Sequence, residues 1–331
     1  MLGIYRGRRQ ASLVITSVAA GLIAPLASAE PFLTRNQSPL VAAYGLPSPL
    51  PARLPPAGGG RIAAVVNWSN DEKDDVAGNS GYTLDAEVFE LRLHFERALG
   101  ERLAMRVELP WRRLSGGSLD GFVDDWHGIF GLPGGSRRRL PENQLLIEFR
   151  ENGETLLRYD ESVSGIGDIP VALGFQLHAS ERAALATWLT VKAPTGSADD
   201  LTGSGAVDVA ATLAGERSLH EHWQLFGQAS VAWLGEGDIL PERQESFAWT
   251  LMGGLTWNAW RALDLTAQGE ANSAGYDGRG SDFDGVAGVR TFGGAWRTPG
   301  GWRFDVGISE DVEAGASPDV VFNFAVVRNY R

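Results

Sequence analysis

From Arg61 onward the chain alternates apolar and polar residues through about a dozen stretches of about ten residues, the period and length of strands that cross a membrane at a tilt. Between Leu84 and Ala98, Phe89, Leu91, Leu93 and Phe95 share one face, while Val88, Glu90, Arg92, His94 and Glu96 share the other. After Leu99-Gly100-Glu101 the pattern resumes with Leu103, Met105, Val107 and Leu109 opposite Arg102, Arg106 and Glu108. The same two-residue period predicts strands through Ile169–Leu177, through Leu185, Leu189 and Val191 opposite Lys192, and across 206–216. It continues with Trp223, Leu225, Val231 and Trp233 opposite Gln224, Gln228 and Ser230, then Phe247, Trp249, Leu251, Leu255 and Trp257. Leu263 and Leu265 stand opposite Asp264, Thr266, Gln268 and Glu270, and three last strands fall near 283–293, 302–309 and 320–328.

Short turns at 99–101, 179–182, 217–222, 259–262 and 298–301 alternate with longer loops at 70–81, 112–167, 194–205, 235–245, 273–282 and 310–318. That asymmetry predicts an all-β, antiparallel up-and-down transmembrane β-barrel with both termini on the short-turn side. The count is 12 strands. It rises to 14 if the runs 144–150 and 154–159, joined by the strong turn signal Asn152-Gly153, enter the wall. A single strand pair does not separate such a barrel from a soluble sandwich, which hides its apolar face instead.

The N-terminus tips that balance toward the membrane. Arg6, Arg8 and Arg9 precede an apolar run from Ala11 to Ala24, and Ala27-Ser28-Ala29 fits a signal-peptidase site. Residues 1–29 therefore read as an export signal, which places the mature protein in the outer membrane of a Gram-negative cell. No later run reaches the roughly 18 to 20 apolar residues of a membrane helix. Residues 30–60 are different material: Pro39, Pro47, Pro49, Pro51, Pro55 and Pro56, followed by three glycines, exclude sustained helix or central strand. They are expected to form an irregular periplasmic arm or a partial plug, leaving 61–331 as the barrel with its insert at 112–167.

Composition adds three constraints. A net charge of −12 over 331 residues argues against nucleic-acid partners. The absence of cysteine leaves stability to the strand ladder and packing. Trp68, Trp111, Trp223, Trp233, Trp249, Trp257 and Trp302 fall at strand ends or on apolar faces, where headgroup-level aromatic belts form.

Candidate chemistry is sparse. Leu119, Phe122, Val123, Trp126, Ile129 and Phe130 recur at helical spacing after Ser118, an N-cap residue, and before Gly131 and Pro133. This predicts one short amphipathic helix in the longest loop, folded into or over the barrel mouth, with Leu119, Phe122, Trp126, His127 and Phe130 as a candidate gate or structural lid. Asp120, Asp124 and His127 on its other face could ligate a cation, although solvated helix carboxylates are far commoner. His178 and Ser180 have the i, i+2 spacing of a barrel hydrolase, but Ser180 lies in a turn, so no enzyme and no cofactor is expected. Charges of both signs are expected to face the lumen: Glu90, Arg92, His94, Glu96, Arg106, Glu108, Lys192, Asp208, Asp264, Glu270, Arg290, Arg303 and Asp305. They must pair or stay wet.

Three sequence blocks carry a resemblance. Residues 31–40 (PFLTRNQSPL) and 117–133 (GSLDGFVDDWHGIFGLP) resemble the opening motif and central signature of an uncharacterised proteobacterial DUF family of exported proteins. Gly165-Ile166-Gly167-Asp168, Lys192-Ala193-Pro194-Thr195-Gly196 and the run 201–208 (LTGSGAVD) are similar to the pattern of outer-membrane transporters of the phenol meta-pathway type. The resemblance implies an outer-membrane barrel, with lipid and the barrel-assembly machinery as partners, and carries over no catalytic residue. The chain departs from the usual C-terminal aromatic signal, since Tyr330 is followed by Arg331. The expectation is a passive channel or uptake route for a small solute, or else a closed barrel with a structural, binding or envelope-maintenance role.

Overall fold

The computed structural model describes residues 30–122, 125, 128, 140–278, 285–312 and 317–331. Residues 1–29, expected from sequence to be an export signal, lie outside them. The described strands are β1 (Gly60–Ala77), β2 (Ser80–Ala98), β3 (Leu103–Ser115), β4 (Leu146–Glu151), β5 (Glu154–Tyr159), β6 (Val163–Ile166), β7 (Ile169–Ala179) and β8 (Ala183–Ala193). They continue with β9 (Asp208–His220), β10 (Trp223–Trp233), β11 (Phe247–Trp260), β12 (Leu263–Asn272), β13 (Ala287–Arg297), β14 (Trp302–Asp311) and β15 (Val320–Tyr330). A short helix, α1, covers Pro39–Ala43.

Twelve of these strands close an antiparallel ring. Neighbours pair in chain order from β1 to β3 and from β7 to β15, β3 pairs with β7, and β15 returns to β1 with Gly60 opposite Tyr330. Closure leaves the transmembrane wall without an edge. The hairpin β4–β5 forms at Asn152-Gly153, both with positive φ as a type I′ turn requires, but pairs only with the far end of β2, Gly81–Asp85. It extends the rim, and the wall count stays at 12.

Two sequence expectations change. The region 70–81 is a continuation of β1 and β2 around Gly78-Asn79 rather than a loop. Its charged run hides the alternation because a hairpin that rises above a membrane needs no apolar outer face. Arg290 points outward and pairs with Glu310 at 3.3 Å. On β13 it shares a face with Gly288 and Phe292, a parity that Gly and Ala make faint in sequence.

Elsewhere the alternation sorts inside from outside. Leu213, Val231 and Leu251 point out, while Thr212, Ser230 and Thr250 are buried. Trp223, Trp257, Trp260, Trp296 and Trp302 lie near the short-turn end, with Trp223 and Trp257 stacked at 6.0 Å. Trp68, Trp111, Trp233 and Trp249 lie nearer the loop end. Trp223 and Trp233 bracket one strand, and a 3.4 Å rise at a tilt of about 40° separates them by roughly 25 Å along the axis, the height of an outer-membrane hydrocarbon band. Leu213→Arg at mid-strand should therefore cost about 2–4 kcal/mol of folding free energy in lipid. Urea titration in vesicles checks this; a change within about 0.5 kcal/mol, as for an ordinary exposed site, contradicts a lipid-facing wall.

Candidate functional site: the filled lumen

Residues 31–54 lie inside the barrel. They enter at the short-turn end beside Arg303, rise along β12 to the loop end at α1 and Tyr44, and descend along β3, β10, β8 and β7 to Gln176. A peptide shut away from water needs partners for its backbone, and the inward glutamines supply them. Gln268 accepts from the Phe32 amide at 3.0 Å, Gln228 from Leu50 at 2.8 Å, and Gln176 from Leu54 at 2.8 Å. The Gln176 amide also donates to the Ala52 carbonyl. Proline brings no N–H, and the carbonyls of Pro31, Pro49 and Pro51 accept from Arg303, Arg106 and the Trp188 indole.

The wall is shaped for this arm. Gly293 and Gly307 face each other where the Phe32 ring sits, and a Cβ at Gly293 would come within 2.8 Å of it. Leu50, Ala52 and Leu54 pack against Ala104, Ala172, Ala184, Ala186, Ala214 and Trp188, and Leu33 packs against Val65 and Val327.

One side of the lumen is charged. The fully buried Glu90 carboxylate accepts from Arg92 and Arg112, each at 2.8 Å. Glu108 takes Arg92 at 2.7 Å, Arg106 at 3.0 Å and the arm's Ser48 hydroxyl at 3.0 Å. Arg106 also donates to His94 Nδ1, which a permanently charged guanidinium makes the acceptor of a neutral imidazole. Nearer the loop end Lys192 meets Asp168, Asp208 at 3.0 Å and Ser204 at 2.6 Å, while Asp168 accepts from the amides of Gly196 and Ser204. The three separated runs 165–168, 192–196 and 201–208 thus converge on one lysine. Of the other inward charges, Arg303 pairs with Asp305 and Glu30, Asp264 with Arg297, and Glu270 accepts from Asn36 N.

Among the described residues the mouth is covered by β4, which also belongs to the 112–167 insert. Ile147 and Phe149 of β4 pack with Leu40, Val41 and Tyr44 of the arm and with Leu201, Ile239, Leu240 and Tyr276 of the loops. Arg243, on the loop opposite β2 in the ring, pairs with Glu151 and lies 5.7 Å over the Phe149 ring. The Tyr159 hydroxyl donates to the Ala198 carbonyl, and burial pushes its pKa up to about 12. Leu201 and Leu240 have positive φ, a strained state for leucine that this packing holds.

Residues Asp120–Phe122 begin a helix, but on the outer side of the rim. Leu119 packs against Val320 and the outward Trp68, Ile308 and Phe322, and Phe122 meets Phe322 edge to face at 5.6 Å. The Ser118 and Leu119 amides donate to Glu87. Neither Leu119 nor Phe122 stands in the lumen; Trp126, His127 and Phe130 lie outside the described residues. Asp120 is engaged by Asn70 and the Asn143 amide, Asp124 and His127 are not described, and no metal-binding group of three occurs among the described residues. His178 is exposed after a bulge in β7, and Ser180 closes the turn to Ala183, so the two form no catalytic pair.

A closed, arm-filled 12-stranded transmembrane barrel is the class of protein these features define. The chain belongs to the family described as Protein of unknown function (DUF3187), whose family model matches residues 9–329. No curated protein matches it. Its fold is similar to the COG4313 outer membrane channel from Pseudomonas putida F1, with a TM-score of 0.56 at 15% identity over 83% of this chain and 96% of that one. The NanC porin (TM-score 0.45, 7% identity, 82% and 99% covered) and the P. putida toluene transporter TodX (0.39, 13%, 84% and 90%) are more distant in shape.

Removing one member of the buried charge network leaves its partners desolvated. Glu90→Ala should lower the stability of the folded barrel by about 3–5 kcal/mol. Urea unfolding in detergent checks it; an unchanged midpoint would show that Arg92 and Arg112 do not depend on Glu90.

Proposed function

We propose that this protein is an outer-membrane channel for a small solute, held shut by its N-terminal arm from within and by the β4–β5 hairpin from outside. The observation that carries this reading is how the arm is held. It is fixed by side chains of the wall and shares no strand ladder with it, so it can leave as a unit while the glutamines and charges behind it rehydrate. What it vacates is a passage with one alanine-rich side and one charged side. Both ends of the arm hang at the short-turn end, the periplasmic one in outer-membrane barrels. Export by the leader and insertion by the barrel-assembly machinery complete the reading.

The density of contacts along the arm favours a second reading, a permanently closed barrel with a structural role. Single-channel recording of the folded full chain in planar bilayers separates the two. The channel reading expects reproducible current steps, more frequent in Arg243→Ala, which releases the Glu151 clasp. Silence in both from a barrel with heat-modifiable gel mobility would establish the closed role.

A further inference from the structure

Between the tip of the arm and the wall lies a cavity of about 30 Å³, room for a few waters or a small ion. Four guanidiniums line it, Arg35, Arg92, Arg106 and Arg112, and Lys192 closes its loop end. Only two carboxylates line it, Glu108 and Asp168.

The pairing around this space is uneven. Lys192 is matched by Asp168 and Asp208. On the arginine side, Arg92, Arg106 and Arg112 share Glu90 and Glu108, and the next carboxylate, Glu96, stands 3.9 Å from Arg106. Arg35 has no carboxylate within ion-pair distance among the described residues. It donates to the Leu46 carbonyl at 2.8 Å and the Ala42 carbonyl at 3.2 Å, and its Nε has no partner. Thr190, on the opposite wall of the same cavity, holds a buried hydroxyl that is also without one. An isolated buried cation is costly unless paired, and of the five cations lining the cavity Arg35 is the one that makes no ion pair among the described residues.

We infer that this cavity is a binding site for one small monovalent anion, a carboxylate group or a halide-sized ion, held between the arm and the wall with Arg35 as its principal partner. The anion pairs the guanidinium that the arm brings into the lumen and ties the arm's tip to β3 and β8. This gives Arg35, in the middle of the 31–40 motif, a role beyond joining the two limbs of the arm. The site belongs to the closed state and stands whether or not the barrel conducts.

The test uses the folded full chain in detergent at constant ionic strength, with sodium gluconate, too large for the cavity, replaced stepwise by bromide or acetate. Thermal unfolding is followed by gel mobility. The midpoint should rise and saturate as a ligand that binds only the folded state requires. In Arg35→Gln half-saturation should need about tenfold more anion, the equivalent of one charge-assisted hydrogen bond. Arg35→Lys should fall between. A rise with bromide alone assigns the site to an inorganic ion, and a rise with acetate assigns it to carboxylates. Identical midpoints in all three salts overturn the proposal. Should Arg35→Gln not fold, wild-type crystals soaked in bromide decide: an anomalous peak in the cavity beside Arg35 supports the site, and peaks only at the surface, an adventitious ion only, overturn it.

Discussion

A peptide inside a closed barrel has almost no water to bond, so its amides and carbonyls need partners in the wall, and this requirement organises the lumen. Gln176, Gln228 and Gln268 sit on three different strands and hold the backbone of the arm at three points. The proline-rich composition of the arm serves the same end. Each proline removes a donor that the wall would have to match, and the carbonyls of Pro51, Pro49 and Pro31 accept from Trp188, Arg106 and Arg303. Where the chain approaches most closely, the wall is reduced to Gly293, Gly307 or alanine.

The charged side obeys the complementary constraint. Ions out of water must be paired, and Glu90 and Glu108 are each shared between arginines, with Ser48 of the arm closing the set. The arm thus completes the network as well as filling the space, which couples its position to the protonation and pairing of the wall. At the loop end the coupling is apolar: α1 and Tyr44 meet Ile147 and Phe149 in one cluster. Movement of the arm and of the β4–β5 hairpin is therefore expected to be concerted.

Much of the wall was legible from alternation alone. The strand count, the inward Glu90, Arg92, Arg106, Glu108 and Lys192, and the hairpin at Asn152-Gly153 follow from period and turn chemistry. What failed to read has physical reasons. Arg290 lies on a strand so rich in glycine and alanine that its parity is faint. The 70–81 region is a charged hairpin with no apolar face to announce it. The segment Leu119–Phe122 shows two apolar positions in sequence, but periodicity does not say whether they meet the mouth or the outside of the rim; for Leu119 and Phe122, packing on Trp68 and Phe322 answers that. The path of the arm was hidden most deeply, because its partners are ordinary glutamines and alanines more than two hundred residues away in some cases, as Phe32 and Gln268 show.

The central claim is that the arm, seated in the lumen, is what closes the barrel. The chain has no cysteine, so one engineered pair can be read without interference. Leu50→Cys with Gln228→Cys joins the arm to the wall where they already touch, and single-channel current is recorded on the oxidised and the reduced protein. In the cross-linked protein the account predicts no current while the bond is intact and current steps once reductant breaks it. Equal currents from the cross-linked and the reduced protein would contradict it.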